Sequence, residues 1–446
     1  MYIKNIKLTN YRNYESLNNG EGIDLGRHTT VLIGKNGAGK TNLISAMKQA
    51  LSFVFRREKG TPQYSFLSSL DKRIRIRSFE PTDSHYSLTP SGMDYHYPVD
   101  IETTMSMQSI DTENEDTSSI LNWHMHKENA SKGMEESYAT ASNVFWNHFL
   151  ASQNLPVIAF YSAAFPHVTA GISTNIKKML DFGSDLPQNH GYYKWDDIID
   201  CNPIWKEYFA IRWWNSLNNS SKEGIDYVSA ISNSLVNFSR PLPTDEYVEN
   251  DMIELNRISV KMLTNNSSDI MFEFKNGKSM TFSSLPDGYN RIYSIVFDIA
   301  NRSYLLNKHC NPEGIAFIDE LDIHLHPSLA QEILDRLRRS FPKLQFIVTT
   351  HSPLVISNFR TDRDNVVYKL SDVTPPELMP NTYGIDYNSL LSGQMETPIR
   401  NSYLRELANA YKHWKAKGDK DRMVRTLQKI ISRVGEDSLF VQNIQK

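Results

Sequence analysis

The sequence predicts an α/β fold: a mixed sheet carrying a phosphate loop, an antiparallel lobe, a helical insertion and a short helical C-terminal extension. Three observations predict it. Gly34-Lys35-Asn36-Gly37-Ala38-Gly39-Lys40-Thr41 fits G-x-x-x-x-G-K-[ST] at every specified position, between an apolar run at Thr30–Ile33 and a helical pattern from Thr41 to about Phe55. Gly314 to Ile318 is a second apolar run, ending in Asp319-Glu320. Then Leu329, Ile333, Leu334 and Leu337 recur at helical spacing, and the run Gln345 to Thr350 ends at His351. Strand, helix, strand implies a right-handed parallel crossover, so both strand ends reach one edge of the sheet.

Each element carries its own chemistry. Glycines let backbone N–H groups curl round a phosphate chain at a helix N-terminus. Gly34, Asn36, Gly37, Gly39, Lys40, Thr41 and Asn42 are therefore assigned to the nucleotide, with Lys40 reaching the β- and γ-phosphates. Thr41 and Asp319 are the expected ligands of Mg²⁺. Glu320 is the expected base for the attacking water, and His351 the expected contact to the γ-phosphate. The expected ligand is a nucleotide with Mg²⁺.

Composition narrows the class. The chain has 446 residues, 40% hydrophobic and 22% charged, with net charge −3. That charge gives no global field toward nucleic acid or acidic lipid, so any such contact needs a local patch. No apolar run approaches ~18 residues, so no membrane span is expected. The start enters a strand directly, without a signal-peptide pattern. Cys201 and Cys310 form no metal or disulfide framework, which fits a reducing cytoplasm. His124-Met125-His126 lacks a third ligand and reads as a chance pair.

Residues 1–370 are expected to form the head, with a discontinuous core at about 1–55, 150–170 and 265–370. Residues 56–149 read as an antiparallel lobe with an exposed insertion that includes the acidic stretch Asp111 to Asp116. Arg73, Arg75 and Arg77 alternate with isoleucines. On a strand they would share one face, roughly 7 Å apart, either gripping phosphates or simply solvated. Leu155 to Tyr161 reads as a further core strand. Residues 171–264 read as a helical insertion, and 195–265 as helices whose Trp195, Trp205, Trp213 and Trp214 favour core packing over base stacking. Ile270 to Phe282 carries a hairpin signal with an Asn276-Gly277 turn. Asp362-Arg363-Asp364 precedes a strand and reads as a turn. Residues 371–446 form the extension, with apolar stripes through Tyr403, Leu404, Leu407 and Tyr411 and through Met423, Leu427, Ile430 and Ile431. These stripes suit either self-packing or partner docking, with Lys412, Lys415, Lys417, Lys420 and Arg422 as a charged rim.

The set resembles the ATP-binding-cassette head of the RecF/SMC-like ATPases. GKNGAGKT is similar to their Walker A motif and AFIDE to their Walker B. Leu321 to Pro327 is similar to their D-loop, Thr350-His351-Ser352-Pro353 to their switch histidine, and Ile6 to Tyr14 to their opening strands. The resemblance implies that Arg12 approaches the nucleotide and that ATP is sandwiched between two heads. Ser284 to Arg291 sits where the family's signature loop belongs, so Asp287 and Gly288 are expected to face the phosphates of a second copy. Pro286 stands where the family usually has Ser, and slow hydrolysis is expected; Arg291 is the candidate to compensate. No Gln follows the strand at 155–161 closely enough to serve as the family's Q-loop.

Length, compact middle and short tail resemble the ATPase subunits of Septu antiphage systems, PtuA, including retron-associated ones. This implies an HNH nuclease partner resembling PtuB, no nuclease site in this chain, and for retron versions a reverse transcriptase with its DNA–RNA product. A RecF-like DNA repair ATPase and a nucleotide-binding scaffold with negligible turnover remain the alternatives.

Overall fold

The computed structural model describes residues 1–112, 119–135, 137–168, 174–181, 185–196, 199–219, 222–242, 254–262, 268–395 and 402–445. The chain divides into two compact units, Met1–Gly384 and Ile385–Lys446. The first unit extends past residue 370 for a physical reason. Glu377–Leu378 adds an antiparallel edge to Asn365–Lys369. The Thr382 hydroxyl then donates to the Ile356 carbonyl at 2.8 Å, tying the segment to the head.

The central sheet has six strands, in the order Glu377–Leu378, Asn365–Lys369, Thr29–Ile33, Leu344–Thr349, Gly314–Ile318 and Val157–Tyr161. All but the edge pair run parallel. The inner runs are apolar on successive residues because both faces are covered; Val31, Leu32, Ile33 and Ile315 to Ile318 have no exposed surface. Gly314 has φ 134°, and a Cβ there would stand 1.9 Å from the Val157 carbonyl oxygen, so this strand can start only with glycine.

A second sheet is antiparallel: Tyr14–Ser16, Tyr2–Tyr11, Val99–Ser106 and Ile120–Lys127, with Ile23–Asp24 also on Tyr2–Tyr11. The first strand therefore pairs with chain nearly a hundred residues away. Buried Gln345 staples the two sheets together. Its amide donates to the Ile3 and Gly26 carbonyls, each at 2.8 Å, and its oxygen accepts from the Ile3 N–H at 2.8 Å.

Two expectations are corrected. Arg73, Arg75 and Arg77 are not on a strand. The Arg57 guanidinium draws in the carbonyls of Leu70, Asp71 and Ile74, which removes them from any ladder, and Ile74 alone is buried. Residues 195–265 are not helical throughout. The helices Asn202–Asn219 and Lys222–Ser239 are followed by strand Leu255–Met262, which pairs with Ser268–Phe274. Pairing with the next strand along the chain makes that segment extended. Among the four tryptophans, Trp195 and Trp205 are fully buried, while Trp213 and Trp214 are partly exposed. Trp205 donates to Asp298 at 2.6 Å, and Asp298 also accepts from Tyr161 and Arg302. Of the acidic stretch, 113–116 lies outside the described residues, while Asp111 pairs with Lys343 at 3.0 Å.

The second unit holds helices Ser402–Lys417, Lys420–Val434 and Leu439–Gln445. Ala408, Tyr411, Ile430, Val441 and Ile444 form its core, with Leu407, Met423, Leu427 and Ile431 packed against it. Leu407, Tyr411, Met423, Leu427, Ile430 and Ile431 of the two stripes are spent on this core, while Tyr403 stays 47% exposed. Self-packing accounts for most of both stripes.

Candidate functional site

The phosphate loop leaves strand Thr29–Ile33 and enters helix Lys40–Leu51. Gly34, Gly37 and Gly39 have φ of 148°, 87° and 91°, conformations that side chains resist. At Gly39 there is no room either, since a Cβ would stand 2.4 Å from the Asn13 amide and 2.5 Å from the Tyr14 hydroxyl. Tyr14 in turn donates to the Gly39 carbonyl at 3.1 Å. The opening strands therefore set the curvature of the loop.

Strand order brings the rest of the site together. Leu344–Thr349 lies between the phosphate-loop strand and Gly314–Ile318, so three parallel strands deliver their C-terminal ends side by side. One cleft of about 250 Å³ is lined by Asn36, Gly37, Gly39, Lys40, Thr41, Asn42, Asp319, Glu320 and His351. Gly34 does not line it; its carbonyl accepts from the Lys40 ammonium at 2.8 Å, as does the Lys35 carbonyl at 3.0 Å. Burial lowers the Lys40 pKa, and Asp319 and Glu320 partly oppose that.

The Thr41 hydroxyl stands 3.3 and 3.2 Å from the two Asp319 oxygens. A hydroxyl beside a carboxylate is the oxygen donor set that a hard divalent cation takes, so these residues fit Mg²⁺. Glu320 has φ 51°, an unusual backbone for a side chain of its size. Two residues hold that turn. Thr349 accepts from the Glu320 N–H at 2.8 Å and donates to Asp319 at 2.7 Å. Arg291 donates to the Asp319 and Glu320 carbonyls at 2.8 and 3.2 Å. Thr350 donates to Asp322 and accepts from the Ser352 N–H at 2.9 Å, fixing the backbone on either side of His351.

Besides Gly34, three assigned residues lie outside this cleft. Arg12 lines a neighbouring cleft of about 530 Å³ with Lys48, Arg73, Arg75 and Arg77. It pairs with Asp83 at 2.9 Å and donates to Asn42 at 3.2 Å, so it adjoins the phosphate site through one side chain. Asp287 and Gly288 open helix Asp287–Asn307 and do not line the cleft. Gly288 packs on the D-loop backbone, where a Cβ would stand 2.4 Å from the His324 carbonyl oxygen.

Arg291 is not placed to compensate for Pro286. It is 1% exposed, and its guanidinium is taken up by the carbonyls of Ser162, Ala163, Phe165, Asp319 and Glu320. Burial pushes its pKa down to about 10, and Glu320 and Asp319 partly oppose that. The loop after Val157–Tyr161 thus offers carbonyls to Arg291. Sequence reasoning also missed Thr349, Asp83 and Tyr14. The Thr-Thr pair before His351 carried a signal for the first; nothing local marked the other two.

A family model for the RecF/RecN/SMC N terminal domain matches residues 2–372. The chain belongs to this family. The RecF/RecN/SMC match spans the first unit almost end to end and stops short of the three-helix unit. Within the family, the probable ATPase of retron Vc95 from Vibrio cholerae serotype O1 biovar El Tor is 23% identical over 390 residues, covering 82% of this chain and 74% of that protein. The probable ATPase of retron Ec83 from Escherichia coli is 48% identical over 85 residues, 18% of this chain and 16% of its own. A Septu protein PtuA from Bacillus mycoides is 43% identical over 86 residues, 19% of this chain and 12% of its own. The matched stretch is thus under a fifth of the last two proteins.

Proposed function

We propose that the chain binds and hydrolyses ATP as the nucleotide-controlled subunit of an antiphage defence complex. The observation that carries the ATPase reading is the single cleft holding Lys40, Thr41, Asp319, Glu320 and His351. Lys40 would leave its two loop carbonyls for the β- and γ-phosphate oxygens, exchanging neutral acceptors for charged ones. Thr41 and Asp319 would hold Mg²⁺, which when bound neutralises charge on the phosphates. Glu320 would orient a water and take its proton as the water oxygen bonds to the γ-phosphorus and the bond to the bridging oxygen breaks, leaving ADP and phosphate. His351 would donate to the γ-phosphate.

Asp287 and Gly288 sit on the first turn of a helix, where free N–H groups favour an anion. Their place outside their own cleft supports a role toward the γ-phosphate of a second head. Pro286 carries no hydroxyl at that end, which favours slow turnover. The retron and Septu names of relatives support the defence reading. We extend the proposal to an HNH nuclease partner and, in a retron setting, a reverse transcriptase with its DNA–RNA product.

The test has two parts. Phosphate release by the purified chain is measured with ATP and Mg²⁺, with and without the product of the adjacent gene. Phage plaquing is then compared between cells carrying the intact operon and cells carrying Glu320→Gln. No phosphate release under either condition would reject hydrolysis. Equal plaquing on intact and operon-free cells would reject defence.

A further inference from the structure

The family match leaves residues 385–446 without a role. They carry eleven Lys and Arg against seven Asp and Glu, in a chain whose net charge is −3. The positive charge is ordered. Arg422, Arg425, Lys429 and Arg433 follow one another at three, four and four residues along helix Lys420–Val434, which places them on one face. All four are exposed. At 1.5 Å per residue the row is about 16 Å long. Arg422 approaches Asp419 at 3.4 Å at the helix start; among the described residues no carboxylate pairs with Arg425 or Lys429.

The apolar side chains of the same helix, Met423, Leu427, Ile430 and Ile431, are spent on the unit's own core. The cationic face therefore lacks the apolar centre that a protein partner needs. It does have aromatic rings at both ends. Trp414 lies 4.7 Å from the Arg422 guanidinium and Tyr403 lies 5.8 Å from that of Arg433, both rings coming from helix Ser402–Lys417. Tyr403 is 47% exposed.

We propose that this face of the C-terminal three-helix unit binds single-stranded nucleic acid, with the row from Arg422 to Arg433 on the phosphate backbone and Tyr403 and Trp414 against unpaired bases. A row of like charges with a carboxylate only at its start repels itself until a polyanion lies along it, and releasing that polymer's counterions drives binding. Aromatic rings add stacking that any base satisfies, so the contact is indifferent to sequence. The proposal rests on the second unit alone and is independent of the ATPase reading.

The full chain is tested by fluorescence anisotropy with fluorescein-labelled mixed-sequence single-stranded DNA, the same sequence as RNA, and a DNA hairpin, across a salt series. Arg425→Gln with Lys429→Gln should weaken single-strand binding by about tenfold and reduce the salt slope by about 1.4, at ~0.7 for each phosphate no longer neutralised. Arg425→Lys with Lys429→Arg should bind as the parent does. Tyr403→Ala should weaken single strands and leave the hairpin unchanged. Melting temperature and ATP turnover should not move in any of them. Binding of either DNA or RNA with this residue dependence supports the proposal, and the tighter of the two names the source. Unchanged affinity and slope in the Gln double variant overturns it. So does hairpin binding as tight as single-strand binding with Tyr403→Ala silent, and so does full displacement of the oligonucleotide by equimolar poly-glutamate.

Discussion

The Arg291 guanidinium donates to the backbone carbonyl of Glu320 at 3.2 Å, from the helix that opens at Asp287. The segment proposed to meet a second copy's nucleotide is thus tied to the turn that presents this copy's own carboxylates.

Replacing Arg291 by Lys therefore has two expected effects. Lysine's single nitrogen cannot span five carbonyls, and each one left buried without a donor costs about 1–3 kcal/mol. The melting temperature should fall, and turnover should drop at least about tenfold as the Glu320 backbone relaxes. Scanning calorimetry and a phosphate-release assay check this; wild-type turnover in a folded variant would remove the tie.

Lys40→Ala should raise the ATP dissociation constant by at least about 100-fold. Charge-assisted hydrogen bonds contribute ~1.5–3 kcal/mol each, and the ammonium has two phosphates to serve. Titration calorimetry with ATP and Mg²⁺ reads the result. Unchanged affinity would withdraw the nucleotide site altogether.

Glu320→Gln should lower kcat by about 10²–10⁴-fold, the range that a positioned base supplies, while ATP affinity is kept. The amide still accepts from water but cannot take its proton. Light scattering after ATP addition should show head dimers accumulating in this variant. Turnover equal to the parent would mean the base lies elsewhere.

Gly288→Ala is expected to destabilise the head even without nucleotide. The added methyl meets the His324 carbonyl oxygen, and relieving such a clash costs about 1–3 kcal/mol. Asp287 is exposed, so Asp287→Arg is the cleaner probe of the second-head contact; it should block ATP-driven dimers while leaving ATP affinity unchanged. A variant that still dimerises with ATP would place the contact on another face.

Asp200 gives a pH dependence. Burial pushes its carboxyl up to about 7, against the hydrogen bond it accepts from the Asn202 N–H at 2.8 Å. A carboxyl raised in the fold holds its proton there after the unfolded chain has lost it. The native state then binds more protons between about pH 4 and 7, so stability falls as pH rises through that window and levels off above it. Asp200→Asn should flatten that slope and stabilise the protein at pH 8 by on the order of 4 kcal/mol. Denaturant midpoints at pH 5 and pH 8 test it; an identical slope in the variant would show that another group carries it.

The parts of this protein legible in the sequence are those whose physics is local. A phosphate loop needs glycines at fixed offsets, because only backbone without side chains can take those φ values and leave N–H groups free. A strand covered on both faces reads as an unbroken apolar run, so Thr29–Ile33, Gly314–Ile318 and Leu344–Thr349 stood out, and with them Asp319, Glu320 and His351 at their ends. What the tertiary structure decided depends on partners outside the segment itself. Arg73 to Arg77 alternates like a strand, but Arg57 draws the neighbouring carbonyls away from any ladder. Leu255–Met262 became a strand because a hairpin offered it an edge. Arg291 looked available for phosphate and was claimed by carbonyls from two other loops. The apolar stripes of the tail could have met any surface until the fold turned them toward each other, and that same turn left the row from Arg422 to Arg433 facing outward.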